Sequence, residues 1–371
     1  MNIYEKIGLK RIINASGRMT ALGVSTLSDE VAAAAIEGGQ SYVVITELMV
    51  KAGEIISSYT GGEASCVTSS ASAGICMSVA GIITNNDINL IRKMPDSNGL
   101  KNEIIIQKGH AIGFGAPITT MVRIGGGIPI EVGLANDVSR ENVIGAINEK
   151  TAALLYVKSH HCVQKGMLPL EEMIKIAHEF NLPIIVDAAA EEDLRKYLEM
   201  GADLVIYSGA KAIEATTSGF VTGKKIYIDS IQRQYEGIGR PMKVGKEGIM
   251  GLLKALELYE KKDTAKEVKV CLEKIHYINE ELNKIEGLTA KVSQDEAGRE
   301  IYRSQISLDE TITNISIGEL DKLLKSGNPS IHCRNHFLNI GYMYLDPRPL
   351  VKDDHEVIVE RFKEILQGVK K

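Results

Sequence analysis

The sequence is poor in proline and cysteine. Only 9 of its 371 residues are proline, and the five cysteines are Cys66, Cys76, Cys162, Cys271 and Cys333. Because their number is odd and no pair has C-x-x-C spacing, neither a disulfide framework nor a zinc site is supported. No cluster of His, Cys and Asp has the spacing of metal ligands either. We therefore expect no metal, and reduced, buried thiols as in cytosolic proteins.

Signals for export and membrane insertion are also missing. The N-terminus, MNIYEKIGLKRIINASG, lacks the continuous apolar core of a signal peptide. No apolar run approaches the ~18 residues that span a membrane. With 43 basic against 48 acidic residues, the net charge is −5, which argues against broad binding of nucleic acid. We therefore expect a soluble, cytoplasmic protein that acts on small molecules.

The middle of the chain alternates short apolar runs with helical periodicity. The apolar runs lie at residues 103–106, 152–157, 183–186 and 204–207. They show little polar alternation, which is typical of parallel strands covered by helices on both faces. Helices are predicted between them, at residues 139–148, from 170 onward and at 191–200.

Two short strands are predicted within 218–228 and a long helix at 246–262. After this helix the chain is more charged and poorer in glycine, with helices predicted at 269–287 and 354–369 and strands at 301–307, 311–317 and 336–345. We therefore divide the α/β chain into an N-terminal segment (1–30), a large domain (31–245), and a linking helix with a small C-terminal α+β domain (246–371).

An aspartate and a lysine follow two successive strands. Asp187 ends the run IIVD, and Lys211 follows LVIYSGA. Since open α/β sheets bind ligands at the carboxyl ends of their strands, both residues point to one crevice. A desolvated lysine can form an imine, and an aspartate can hold a pyridinium N–H, as pyridoxal 5'-phosphate (PLP) enzymes require. The alternative is a helix cap at Asp187 and a surface lysine at Lys211.

The small residues TSSASAG, at 68–74, begin a predicted helix. Backbone N–H groups and serine hydroxyls at such a helix start can hold a phosphate, and Ser208 is placed to add a contact. The alternative is a helix start whose small residues only allow close packing.

Three histidines follow strands. His110 follows EIIIQKG, where an imidazole can stack on a cofactor ring. His160 and His161 follow AALLYVKS and are candidates for acid–base work near neutral pH. For each histidine the alternative is a hydrogen-bonded loop residue.

Together these residues resemble fold-type I PLP-dependent enzymes, and most of all the bacterial selenocysteine synthase (L-seryl-tRNA(Sec) selenium transferase) family. The segments that carry the likeness include INASGRMTALG, TSSASAG, PIIVDAAAEEDLRKY and YSGAKAIEATTSGF. Within the family, KGHAIGFGAP and YVKSHHCVQKG resemble the D-glucosaminate-6-phosphate ammonia-lyase branch.

The resemblance implies roles for individual residues. Lys211 would be the Schiff-base lysine and Asp187 the partner of the pyridine nitrogen. Arg334, in HCRNH, resembles the small-domain arginine that receives the substrate carboxylate. The residues that would contact the cofactor phosphate or ring are Ser69, Ser70, Ala71, Ser208 and His110.

A phosphorylated 2-amino sugar acid is the substrate that the resemblance favours, with elimination of ammonia as the reaction. Arg18 and Lys243 are candidates for binding the substrate phosphate. The family also implies at least a homodimer, in which residues 240–246 either reach a partner's site or form a solvated hinge.

Two other functions stay open. The first is selenium transfer or lysis of a small hydroxy- or thio-amino acid, although the chain begins almost at INASGR, without the extra N-terminal tRNA-binding domain of selenocysteine synthases. The second is a PLP-binding paralogue without catalysis.

Overall fold

The strands and helices are taken from a computed structural model, which describes residues 2–159, 161–295 and 300–369. The strands are β1 (Ile12–Ala15), β2 (Ala64–Thr68), β3 (Glu103–Gln107), β4 (Gly113–Phe114), β5 (Ala116–Pro117), β6 (Ile128–Val132), β7 (Thr151–Val157), β8 (Ile184–Asp187), β9 (Leu204–Ser208), β10 (Gly219–Gly223), β11 (Leu288–Gln294), β12 (Tyr302–Leu308), β13 (Ser330–Cys333) and β14 (Tyr342–Leu345).

The α-helices are α1 (Asp29–Gln40), α2 (Ile45–Thr60), α3 (Ala71–Thr84), α4 (Ile88–Lys93), α5 (Ile118–Ile124), α6 (Arg140–Ile144), α7 (Leu170–Glu179), α8 (Lys196–Glu199), α9 (Lys225–Arg233), α10 (Lys246–Glu260), α11 (Thr264–Leu282), α12 (Glu310–Thr313), α13 (Ile317–Ser326) and α14 (Asp354–Val369). Short 3-10 helices lie at Glu5–Ile7, Thr20–Leu22, Lys108–His110, Gln234–Glu236, Arg240–Met242 and Leu338–Ile340. No described helix is long and apolar enough to cross a membrane.

The chain forms two compact units. The large unit comprises residues 27–261, and the small unit joins residues 1–26 to residues 262–371. Two segments far apart in sequence therefore build the small unit.

A seven-stranded sheet of order β2-β10-β9-β8-β7-β3-β6 forms the centre of the large unit. β10 runs antiparallel to both of its neighbours, and the other pairs are parallel. All seven residues of β7 are buried. Burial of a strand on both faces explains why its sequence is apolar without alternation.

Helices cover both faces of this sheet. α3, α5 and α9 pack on one face, where Met77 and Val79 meet Ile206 and Val221. α2, α7 and α10 belong to the opposite layer, whose core includes Ile56. The large unit is thus a three-layer α/β sandwich, as the run of buried strands predicted.

The small unit has its own core. β11, β12 and β14 form an antiparallel sheet, and β1 pairs in parallel with β13. Apolar side chains from α11, α13 and α14 pack with these strands in one cluster.

Several sequence-based assignments of secondary structure were wrong. The strand expected at 336–345 begins only at Tyr342, because Leu338–Ile340 form a 3-10 helix. Residues 218–228 form β10 and the start of α9, because Ile228 and Ile231 recur at helical spacing on the buried face. In place of the strand expected at 311–317, Ser316 caps α13 through a capping box. The helix expected at 191–200 is confined to α8.

The unit boundaries also differ from the expected positions at residues 30 and 245. α10 lies in the large unit because Ile249 and Leu252 belong to its core, and Gly38 of α1 allows the close approach of Met250. The N-terminal segment is tied to the small unit because β1 pairs with β13.

We expect Gly53→Ala to lower the free energy of unfolding by about 1–3 kcal/mol, the usual range for overpacking. A Cβ at Gly53 of α2 would lie 2.3 Å from the backbone oxygen of Ser65 in β2, so the helix would have to move off the sheet. The measurement is urea unfolding.

Gly39→Ala is the matched control, because a Cβ there meets nothing closer than 3.7 Å. Replacing this glycine of α1 should stabilise the protein by about 0.5–1 kcal/mol. Equal effects at the two positions would contradict the packing argument.

Candidate active site

The carboxyl ends of six strands lie at one edge of the large sheet. β2 and β9 run in the same direction because each pairs antiparallel with β10, and β9, β8, β7, β3 and β6 are parallel. The register places Thr68 opposite Gly219, and Gly219 opposite Ser208. With strands about 4.8 Å apart, Ser208 and Thr68 are about 10 Å apart across this edge.

The start of α3 lies at the same edge. The Ser70 hydroxyl is its N-cap and accepts a hydrogen bond from the Ala73 N–H at 3.1 Å. The Thr68 hydroxyl donates to the Ser70 carbonyl at 2.8 Å, which fixes the turn between β2 and α3. First-turn N–H groups of a helix, here those of Ala71 and Ser72, have no acceptor inside the helix, and the dipole adds a partial positive charge.

Two glycines let the chain pack this closely. A Cβ at Gly219 would lie 2.8 Å from the Ala71 nitrogen, and a Cβ at Gly74 would lie 2.8 Å from the Ile206 side chain. Close packing therefore explains part of the small-residue stretch. It does not exclude phosphate binding, because the same packing brings the helix start to the strand ends.

Asp187 ends β8 on the face that α3 covers, two residues after Ile185 of that core. Its Oδ1 accepts a hydrogen bond from the Ala189 N–H at 3.2 Å, and no other described donor bonds to its carboxylate. Burial raises the pKa of Asp187, and the positive charge of Lys211 opposes this shift. A second cation at this carboxylate would stabilise its ionised form.

Lys211 lies in the loop between β9 and β10. The loop is braced at its base by two backbone bonds, from the Gly209 N–H to the Ser218 carbonyl at 2.9 Å and from the Ala215 N–H to the Gly209 carbonyl at 2.8 Å. The lysine is half-buried, and its charge acts on Asp187. The structure thus brings together the lysine and aspartate expected from the sequence.

His110 lies beside the end of β7. Its ring meets Tyr156 edge to face at 4.6 Å, and its Nδ1 accepts a hydrogen bond from the Val157 N–H at 3.4 Å. Burial, with a smaller effect of Lys158, lowers the pKa of His110 to about 4. The imidazole is therefore neutral at pH 7. Val157 lies opposite Asp187 in the register, so His110 belongs to the same edge.

The other two histidines are less informative. His161 is exposed in the loop after β7, and its backbone N–H donates to the Ser159 hydroxyl at 3.2 Å. His160 lies outside the described residues.

The basic residues proposed for the substrate lie in different units. Arg334 follows β13 in the small unit, where its backbone pairs with Tyr344. Burial, and next the charge of Arg303, lower the pKa of Arg334, and no described side chain pairs with its guanidinium. Arg18 is half-buried after β1 of the small unit, and Lys243 is exposed in the large unit before α10.

Sequence reasoning missed two features. Gly219 at the helix start gave no signal, because an isolated glycine does not reveal which backbone approaches it. The second feature is a pair of arginines, Arg303 and Arg348, on the buried Asp346 of the small unit. The D-x-R spacing in YLDPRP, directly after a predicted strand, could have indicated it.

The residues at the edge of the large sheet fit PLP. A phosphate could accept hydrogen bonds from backbone N–H groups and hydroxyls at Ser69, Ser70 and Ala71, with Ser208 across the sheet. A protonated ring nitrogen could pair with the carboxylate of Asp187, which has one donor among the described residues. Lys211 could supply the amine. Among the described residues, no group of three His, Cys, Asp or Glu side chains is placed to hold a metal ion.

Comparisons with known proteins agree with this geometry. The family model described as L-seryl-tRNA selenium transferase matches residues 12–323. A D-glucosaminate-6-phosphate ammonia lyase of Salmonella typhimurium is 46% identical over 99% of this chain and 98% of its own length. A 5'-C-glycyluridine monooxygenase-decarboxylase of a Streptomyces species is 39% identical over 98% of this chain and 92% of its own length.

Solved structures give the fold. The structure of a D-glucosaminate-6-phosphate ammonia-lyase matches with a TM-score of 0.96 and 45% identity, over 100% of both chains. At 15% identity, aspartate aminotransferase from Thermotoga maritima matches with a TM-score of 0.55, over 98% of this chain and 93% of its own. The fold expected from the sequence, PLP-dependent transferase fold type I, is confirmed.

The family inferred from the sequence motifs is confirmed as well. The matched region covers most of the chain and includes both Asp187 and Lys211. This chain belongs to the L-seryl-tRNA selenium transferase family.

Proposed function

We propose that the protein is a PLP-dependent ammonia-lyase that converts D-glucosaminate 6-phosphate to a 2-keto-3-deoxy acid phosphate and ammonia. The observation that carries the proposal is the 46% identity with the Salmonella ammonia lyase over 99% of this chain. The arrangement of Lys211 and Asp187 supplies the chemistry that such an enzyme needs. We assign the reaction to carbohydrate catabolism in the cytoplasm.

The large unit would hold the cofactor. Lys211 would bind it covalently through its amine, and the N–H groups at the start of α3, with Ser69, Ser70 and Ser208, would bind its phosphate. Asp187 would keep the ring nitrogen protonated, and the neutral ring of His110 would face the cofactor ring. When bound, PLP accepts the electron pair left by the broken Cα–H bond.

Lys211 would also be the base for the Cα proton of the substrate. Its amine, when not bonded, would stay tethered beside the reacting carbon. Arg334 binds the substrate carboxylate with two parallel hydrogen bonds and so orients the Cα–H bond. Lys211 is the one described cation whose charge acts on Asp187, so its carboxylate would be available to pair with the ring nitrogen.

Departure of the 3-hydroxyl requires a proton donor. His161 is a candidate because it is exposed in the loop after β7, and histidine is the side chain that ordinarily exchanges protons near neutral pH. His160 stays a second candidate. Arg18 and Lys243 are proposed to contribute binding energy through the substrate phosphate.

Two alternatives remain. The 39% identity with the 5'-C-glycyluridine monooxygenase-decarboxylase favours a decarboxylating oxygenase on a glycyl nucleoside. The family model favours selenium transfer or lysis of a small hydroxy- or thio-amino acid. The set of Lys211, Asp187 and Arg334 argues against a PLP-binding paralogue without catalysis.

We also infer a homo-oligomer, at least a dimer. The segment Tyr42, Val43, Val44 and Ile45 exposes four consecutive apolar side chains, and Tyr42 is fully exposed. Such a run on a water-soluble surface marks an interface. Lys246 holds the segment, because its ammonium donates to the Gly39 carbonyl at 2.6 Å and lies 5.6 Å from the Tyr42 ring centre.

This contact bears on the basic stretch at residues 240–246. Its last lysine, Lys246, is engaged within its own chain, whereas Arg240 and Lys243 are exposed. These two side chains are the ones available to reach a partner's site.

Reduction with borohydride should fix a pyridoxyl group on Lys211, because this is the half-buried lysine whose charge acts on Asp187. Peptide mapping of reduced wild-type protein and of Lys211→Ala measures the position. Lys158→Ala is the control, since Lys158 also follows a strand at this edge, and its adduct should stay on Lys211. An adduct on another lysine in the wild-type protein contradicts the site.

Incubation with D-glucosaminate 6-phosphate should release ammonia and keto acid in equal amounts. Loss of the 3-hydroxyl gives up one water and hydrolysis of the C–N bond takes one up, so no oxidant is needed. Lys211→Ala should lower kcat by about 10²–10⁴-fold, the range for general acid–base catalysis. Uptake of oxygen and release of CO₂ with a glycyl nucleoside would instead support the decarboxylating oxygenase. Turnover of serine-type amino acids only would support the selenium transferase or small amino-acid lyase.

Val44→Asp should shift the protein from oligomer to monomer in light scattering. Val44 is exposed and is the N-cap of α2, where aspartate is a favoured capping residue, so the fold itself should not be weakened. Leu134→Asp is the control, because Leu134 is 63% exposed elsewhere in the large unit. An unchanged mass for Val44→Asp would reject this surface as the interface.

A further inference from the structure

The small unit contains a buried carboxylate that binds two arginines. Asp346 follows β14 and is fully buried. Its Oδ2 accepts from the Arg348 Nη2 at 2.7 Å and from the Arg303 Nε at 3.2 Å, and its Oδ1 accepts from the Arg348 Nε at 3.0 Å. The arginines around it help hold the pKa of Asp346 well below its ordinary value, against the effect of burial.

The backbone around Asp346 is fixed. The Asp346 N–H donates to the Ala15 carbonyl of β1 at 2.8 Å. A Cβ at Gly17, whose φ is +100°, would lie 3.2 Å from the Asp346 Oδ2. The loop after β1 therefore covers the carboxylate closely, and a side chain at Gly17 would be strained for backbone reasons as well.

Arg334 lies near this cluster, but its guanidinium forms an ion pair with neither Asp295 nor Asp346. Its backbone pairs with Tyr344, two residues before Asp346. The charges of Arg303, Arg348, Asp346 and Asp295 all act on its guanidinium. Arg303 has a second acceptor in Asp295, with its Nη1 3.1 Å from the Asp295 Oδ1.

The described carboxylates of the cluster bind Arg303 and Arg348. Asp346 pairs with both arginines, and Asp295 pairs with Arg303. No described carboxylate lies within ion-pair distance of the Arg334 guanidinium, although the charges of Asp346 and Asp295 act on it. Among these three arginines, Arg334 is therefore the one placed to receive an anion.

We propose that Asp346 is a positioning residue for substrate binding: it occupies Arg303 and Arg348, so that Arg334 alone is left to receive the substrate carboxylate. This inference rests on the proposed function only in requiring an amino-acid substrate. Without Asp346, Arg303 and Arg348 would compete for the incoming anion, and the direction of the carboxylate would no longer be fixed.

The test compares two ligands that differ in the carboxylate. Holoenzyme is titrated by calorimetry with D-gluconate 6-phosphate and with D-glucitol 6-phosphate, neither of which has an amine to react. Wild-type protein should prefer the carboxylate ligand by at least about tenfold, in the range of a charge-assisted hydrogen bond. Arg334→Gln should abolish the preference, and Asp346→Asn should reduce it to about threefold or less.

Asp354→Asn is the matched control. Asp354 is also buried in the small unit and pairs with Arg11 at 2.6 Å, so its loss removes a comparable ion pair away from the cluster. It should lower the melting temperature as Asp346→Asn does but keep the ligand preference. A purely structural role of Asp346 would weaken both ligands equally.

Two results would overturn the proposal. One is a wild-type preference retained in Asp346→Asn, and the other is a preference lost in Arg348→Gln but retained in Arg334→Gln. If wild-type protein binds neither ligand, the sugar-acid substrate proposed above is wrong. The affinities of the same variants for glycine and ethanolamine are then measured from the visible spectrum, because these two amines differ in the carboxylate alone. The ratio of the two affinities then decides the role of Asp346, with the same expected values.

Discussion

The half-buried carboxylate of Asp187 is the constraint on which the site in the large unit depends. A carboxylate at the covered edge of a sheet, with one described backbone donor, is costly unless a cation lies beside it. Lys211 supplies part of that charge. A protonated ring nitrogen of the cofactor would supply the rest. Binding of the cofactor would therefore stabilise the ionised carboxylate at this edge. The strand order and the braced loop place Lys211 beside this carboxylate. The turn into α3 brings the helix start, which would hold the cofactor phosphate, to the same edge.

The sequence was sufficient for four neighbouring strands of the central sheet, β3, β7, β8 and β9, and for the positions of Asp187 and Lys211 after two of them. It did not indicate β2 or β6. Strands buried on both faces leave continuous apolar runs, and polar residues directly after those runs fall at the carboxyl edge whatever the details of packing. That is why Asp187 and Lys211 could be placed without coordinates. Ser70 could be placed as well, since an N-cap serine before an apolar helix is a local signal.

Features that depend on contacts between distant segments could not be predicted. β1 belongs to the small unit because it pairs with β13, more than 300 residues later in the chain, and no local pattern encodes that partner. Residues 311–317 are apolar enough for a strand, but Ser316 and Glu319 form a capping box that commits them to a helix. The Asp346 cluster combines residues of β12, the loop after β1 and the segment after β14, and only the fold brings them together.

The braced loop between β9 and β10 has a consequence for the chain entropy of the site. Ser208 and Gly219 lie opposite each other in the register, so the loop that carries Lys211 starts and returns at the same point of the sheet. Its closure is stabilised by the same backbone bonds that build the fold, and the lysine loses little further freedom when it acts. If Lys211 is the catalytic amine proposed above, this tether would keep its effective concentration at the reacting carbon high. The antiparallel strand within an otherwise parallel sheet would thus keep the amine close during turnover.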